Sequence, residues 1–188
     1  MYRLYDVRTG KELVKLDVQI HSGTDAKLVF SPDGTMLAVN GKYSRPTHLW
    51  DVEKREKLAT LPDGDDVLAF SRDSTMLATK GDVIAIWEIT PFGEVLPINE
   101  FEANGEDDHL LFSPEGHILL TIDRERTLLL WDIGMGSEML SLSLGHTSYV
   151  TTLTFSHDGM TLASGSKDGT VLLWDWNKIL AKIKPDDR

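Results

Sequence analysis

The apolar positions of the chain come in short runs cut by turn residues. Between Gly145 and Trp176, runs at 150–155, 161–166 and 170–174 are separated by His157-Asp158-Gly159 and by Lys167-Asp168-Gly169. Runs of this length, rich in Val, Thr and aromatic residues and bounded by Asp-Gly pairs, predict strands joined by hairpins. The same pattern upstream predicts strands at 26–30, 36–39, 47–52 and 57–61, then at 67–70, 76–79, 83–89 and 98–101, and then at 110–112, 118–122, 127–133 and 139–144. Two further runs, 2–7 and 12–18, precede them. Only near the end does the spacing change: Trp176, Ile179, Leu180 and Ile183 share one face of a helix. A short docked helix is expected there, with a strand over 179–183 as the competing reading.

The runs are organised by a repeat. Phe30-Ser31-Pro32-Asp33-Gly34 returns as Phe70-Ser71-Arg72-Asp73-Ser74, Phe112-Ser113-Pro114-Glu115-Gly116 and Phe155-Ser156-His157-Asp158-Gly159, at intervals of 40, 42 and 43 residues. A second marker, Trp50-Asp51, Trp87-Glu88, Trp131-Asp132 and Trp174-Asp175, keeps step at 37, 44 and 43 residues, and Tyr5-Asp6 lies 45 before the first. Two markers sharing one period of about 40–45 residues indicate units of a single supersecondary type.

On these residues the chain resembles the WD-repeat β-propeller family from Tyr2 to Trp176. The resemblance implies an all-β fold, a β-propeller of four-stranded antiparallel blades around a channel. With strands named a to d from the axis outward, a single propeller segment over 1–188 is expected. It divides into a half-blade at 2–18, repeats at 26–61, 65–103, 108–144 and 146–176, and a C-terminal tail at 177–188 carrying the short helix. Seventeen strands beginning at a strand c leave one over if the chain closes on itself, so an incomplete ring is expected. The simplest expectation is the C-terminal module of a longer propeller. An open sheet edge and an uncovered inter-blade face would invite a second copy, giving a homo-oligomer.

Composition narrows the function classes. With 41% hydrophobic residues the chain can bury a core, and 30 acidic against 19 basic side chains give a formal charge of −11. That balance argues against nucleic acid as the partner. No cysteine is present, which removes disulfides and thiolate metal sites. No run reaches membrane-spanning length and the first residues lack signal-peptide order, so a cytoplasmic chain with no membrane partner is expected.

His146, Ser164 and Asp168 are the residue types of a hydrolase triad. Ser164, however, lies inside a predicted strand in Leu-Ala-Ser-Gly-Ser, not on the sharp strand-to-helix turn that exposes a nucleophile. In WD-repeat proteins the matching positions, with Trp174, imply a structural hydrogen-bond network. A buried imidazole and indole that found no partner would cost roughly 1–3 kcal/mol each. The other repeats have lost parts of the set: nine residues before each Phe stand His21, Leu61, Ala103 and His146, and nine after stand Val39, Thr79, Thr121 and Ser164. The six histidines lack metal-ligand spacing, and no phosphate loop or activated nucleophile stands out, so no metal, no cofactor and no enzymatic activity are expected.

Recognition is expected on the loops. The fold implied by the resemblance puts the d-to-a and b-to-c connections at one end. Asp65, Asp66, Asp107 and Asp108 then form an acidic set beside the basic Arg45, Arg124, Arg126 and Lys167, with Tyr43 and Tyr149 as aromatic anchors. The structural alternative is that these are solvated loop charges that keep a repeat protein soluble. The reading that follows is a non-enzymatic protein-interaction scaffold binding a protein or peptide. Two alternatives stand beside it: a half-propeller whose role is self-assembly, and a ligand-binding or hydrolytic propeller with a channel-mouth site.

Overall fold

A computed structural model of the chain describes residues 2–16, 27–40, 46–62, 67–102, 109–123 and 125–183. It divides into two compact units, residues 1–97 and 98–188. In the first unit β1 (Tyr2–Tyr5) and β2 (Glu12–Leu16) pair as a two-stranded sheet. Next come β3 (Lys27–Phe30), β4 (Met36–Asn40), β5 (Thr47–Asp51) and β6 (Glu56–Leu61), a four-stranded sheet in chain order. A second such sheet consists of β7 (Val67–Phe70), β8 (Met76–Lys80), β9 (Val83–Ile89) and β10 (Val95–Glu102), and the division between the units falls inside β10.

The second unit holds β11 (Leu110–Phe112), β12 (Ile118–Ile122), β13 (Thr127–Asp132) and β14 (Ser137–Ser143), again four strands in order. It ends with the three-stranded sheet β15 (Val150–Phe155), β16 (Thr161–Ser166) and β17 (Val171–Asp175), followed by α1 (Trp176–Leu180). Each four-stranded sheet is an antiparallel meander of the propeller-blade type, and the fold is all-β with one short C-terminal helix among the described residues.

Burial explains the sequence patterns. The second strands β4 and β12 are buried at every position and are apolar except at Asn40 and Thr121, because both of their faces are covered. The outer strands β6 and β14 mix exposed positions with partly buried ones. In the first unit Ala38, Leu49, Leu77, Ala85 and Trp87 share a core, and Leu16 packs with Leu37, Val39 and Trp50 in another. In the second unit Leu120, Leu128, Leu130, Leu144, Leu162 and Trp176 share one.

The turns follow from their chemistry. In the first two a-to-b hairpins the Ser31 and Ser71 hydroxyls donate to Asp33 and Asp73 at 2.6 and 2.7 Å, and the same oxygens accept from the amides of Met36 and Met76. Gly34, Gly116 and Gly159 take the left-handed position of this turn (φ +75°, +84° and +76°), and Ser74 occupies it in the remaining repeat at +64°. In the c-to-d hairpins the register shifts at one repeat position, between Leu4 and Tyr5, Leu49 and Trp50, and Leu130 and Trp131. That shared irregularity identifies Tyr5 as the counterpart of the tryptophans.

One expectation changes in detail, and the expected C-terminal helix is met. The strand expected over 98–101 begins at Val95 and runs through Pro97. Pro97 is exposed and β10 is the outermost strand of its sheet, so the missing N–H can face solvent without breaking a ladder bond. At the C-terminus the chain forms α1 in place of a fourth strand. Asp175 caps the helix by accepting from the Lys178 amide, while Trp176 and Ile179 are buried.

Candidate partner-binding site

The loop before β15 and the turn after β16 meet at one end of the last sheet. His146 Nε2 lies 2.8 Å from Ser164 Oγ, which also accepts from Trp174 Nε1 at 3.1 Å. His146 Nδ1 lies 2.9 Å from Thr170 Oγ1, and that hydroxyl donates to Asp168 Oδ1 at 2.6 Å. Counting protons assigns the directions. Thr170 Oγ spends its hydrogen on the carboxylate, so it accepts from His146 Nδ1–H. Ser164 Oγ accepts the indole proton and donates to the free Nε2. The result is a one-way chain from Trp174 through Ser164, His146 and Thr170 to Asp168. The Thr170 hydroxyl, together with the amides of Thr147 and Thr170, holds the Asp168 carboxyl well below the usual carboxylate range, although burial works the other way.

These four predicted residues are therefore brought together, with Thr170 as a fifth. The sequence carries a signal for it in the Lys167-Asp168-Gly169-Thr170 turn, where a hydroxyl two residues after an Asp folds back on the carboxylate, as Thr35 and Thr75 do on Asp33 and Asp73. Ser164 Oγ and His146 have the separation of a nucleophile and its base, but the Ser164 side chain is fully buried in mid-strand and its oxygen already holds the indole proton. Two other indoles repeat the outer part of the arrangement: Trp87 donates to Thr79 and Trp131 to Thr121, both at 3.0 Å. Trp50 Nε1 is buried without a partner among the described residues.

Above this network lies an open depression of about 560 Å³ lined by Glu125, Arg126, Thr147, Ser148 and Tyr149. Its wall, residues 147–149, is pinned from two sides. Arg126 donates to the Thr147 carbonyl at 2.9 Å, Asp168 accepts from the Thr147 amide at 2.8 Å, and Ser166 Oγ donates to the Ser148 carbonyl at 3.1 Å. Tyr149 is 57% exposed, and the Lys167 ammonium stands 5.4 Å from its ring centroid, a cation–π contact. Arg126 has φ +67°, the backbone position that Gly169 occupies in the next repeat. A β-carbon is held there at a cost of about 1 kcal/mol or more. Of the predicted partner-binding residues, Tyr149 and Lys167 are thus adjacent and Arg126 lines the same depression, and Glu125 and Ser148 join them. Tyr43, Arg45, Asp65, Asp66, Asp107, Asp108 and Arg124 lie outside the described residues.

The family model described as WD domain, G-beta repeat matches residues 137–175, that is, β14 together with the three strands that carry the network. Those residues form a WD repeat, and the sheets of the chain are of the WD-repeat β-propeller type. The matched WD unit thus takes its outer strand from one blade and its three inner strands from the next. Curated relatives include the serine-threonine kinase receptor-associated protein of Homo sapiens, 28% identical over 178 residues, which cover 93% of this chain and 49% of that protein. The WD repeat and SOCS box-containing protein 1 of Xenopus tropicalis is 32% identical over 112 residues, 58% of this chain and 26% of that protein. The MST50-interacting protein 11 of Pyricularia oryzae is 33% identical over 66 residues, 35% of this chain and 21% of that protein. The WD-repeat chain thus spans at most about half the length of these relatives. Among its described residues no helix is long and apolar enough to cross a membrane.

Proposed function

We propose that this WD-repeat chain is a non-enzymatic interaction scaffold that binds a protein or peptide segment at the loop end of its last sheet. One observation carries the reading: an exposed Tyr149, braced by Lys167, borders an open depression whose wall is fixed by hydrogen bonds from two neighbouring turns. An aromatic anchor on a rigid rim loses little conformational entropy on binding. The strained Arg126 adds a guanidinium to the same rim, and backbone strain concentrates where binding needs it. Two relatives bear names that describe association, one with a receptor and one with MST50. The Ser164–His146–Asp168 set serves, on this reading, to lock the sheet beneath the rim.

A photo-crosslinking side chain at position 149 tests the proposal. It should give a discrete adduct with a protein or peptide partner, while the same group at the exposed Met135, in the turn between β13 and β14, should give none. Equal labelling from both positions would leave no basis for a site at the loop end.

A further inference from the structure

The rim segment 147–149 has each of its carbonyls already holding a donor. The Thr147 carbonyl accepts from Arg126 at 2.9 Å, the Ser148 carbonyl from Ser166 Oγ at 3.1 Å, and the Tyr149 carbonyl from the Lys167 amide at 2.9 Å. The carboxylates of the two adjoining turns are engaged as well. Asp168 accepts from the Thr147 amide and from the amide and hydroxyl of Thr170, and Asp123 accepts from the amides of Glu125 and Thr127.

Donors are left over. Among the described residues the amides of Ser148 and Tyr149 reach no acceptor. Arg126 spends Nη1 on the Thr147 carbonyl, and the rest of its planar fork of N–H groups carries no further bond to a described residue. Neither Arg126 nor the exposed Lys167 is ion-paired among the described residues, although the whole chain has a formal charge of −11. A rim with its acceptors occupied and its amides and cations spare is suited to an acceptor from outside, and an ionised one bonds such groups about twice as strongly as a neutral one.

The remaining charge on the depression sets which anion fits. Glu125 lines it, is exposed, and has no side-chain partner among the described residues. Two cations beside one carboxylate suit a single negative charge, whereas a phosphate dianion would meet stronger repulsion from Glu125. We propose that the partner segment presents an Asp or Glu side chain to Arg126 and Lys167, next to Tyr149. This rests on the rim being the partner site, and adds the residue type that the site selects. Charges beyond about 8 Å are screened at physiological salt, so the local pair of cations outweighs the acidity of the chain as a whole.

A random dodecapeptide display library tests this, selected on the whole chain and then depleted on Tyr149→Ala so that only peptides needing the rim remain. That pool should be enriched in Asp and Glu over the starting library. By fluorescence anisotropy, a peptide from it should bind about tenfold or more weakly to Arg126→Gln and to Lys167→Met, and more tightly to Glu125→Gln. Lys167→Met keeps an apolar stem beside the ring, so a loss there reads the charge. A pool without acidic enrichment, or affinity unchanged in both cation variants, would overturn the proposal and leave Tyr149 as an anchor. An empty pool would overturn the rim reading along with it.

Discussion

Val39 and Trp50 lie in one buried cluster, at the repeat positions where the other sheets pair a hydroxyl with the indole nitrogen. The Val39 side chain has no atom that can accept, and Trp50 Nε1 is left buried without a partner among the described residues. A buried donor in that state costs about 1–3 kcal/mol.

Val39→Thr should therefore stabilise the protein, by on the order of 1 kcal/mol once the cost of burying a hydroxyl is set against the new bond. Val39→Ala, which only removes methyl groups, should destabilise it. Thermal melts of the two variants check this. A Thr variant that melts as low as the Ala variant would mean that the indole already has a partner.

Ser164 serves two buried groups and Thr121 one, which predicts an order of effects. Ser164→Ala strands both the Trp174 indole and His146 Nε2 and should cost about 2–4 kcal/mol, whereas Thr121→Ala strands only Trp131 and should cost about 1–2. Denaturant titrations measure both. Equal losses would break the proton-chain assignment at Ser164.

Acid should weaken the fold through its turn carboxylates. Asp168 is held low first by the Thr170 hydroxyl, Asp33 by that of Ser31 and Asp158 by that of Ser156. A carboxyl held below its unfolded value of 3.8 contributes its full stability above that pH and loses it as the pH falls towards the folded value. The melting temperature should fall steeply below about pH 4, and Asp168→Asn should make the fall shallower. A slope unchanged in that variant would remove Asp168 from the account.

Glu115 departs from the Asp of the other turns, and the longer side chain is put to a different use. Its carboxylate accepts from Trp176 Nε1 at 3.1 and 3.3 Å, while Phe155 meets the Trp176 ring edge-on at 4.9 Å. The turn of one sheet thus holds the first residue of α1. Glu115→Ala should speed tryptic cleavage at Lys178 and Lys182, with Glu115→Asp close behind because the shorter arm falls short. Cleavage at the native rate would mean that apolar packing alone retains α1.

Most of the strand pattern is legible in the sequence, because Phe-Ser-Pro-Asp-Gly turns and Trp-Asp markers set both period and register. The defect at Trp50 can be read from Val39, nine residues after Phe30. Pro97 conceals the true start of β10, since only its place on an outer edge makes the residue tolerable in a strand. Thr170 is missed because an Asp-Gly-Thr turn looks the same whether or not an imidazole leans on its hydroxyl. The exposure of Val171 and Leu173 is invisible in composition, as Leu130 and Leu173 hold the same repeat place and only the first is buried.

The division between a locked sheet and a binding rim is tested most directly by affinity capture, comparing a rim variant with a network variant below both melting temperatures. A chain carrying Tyr149→Ala and Arg126→Gly should melt within about 1 kcal/mol of the parent and lose its partner, whereas Ser164→Ala should melt lower and keep it. Loss of the partner in folded Ser164→Ala, with capture intact in the rim variant, would contradict the account.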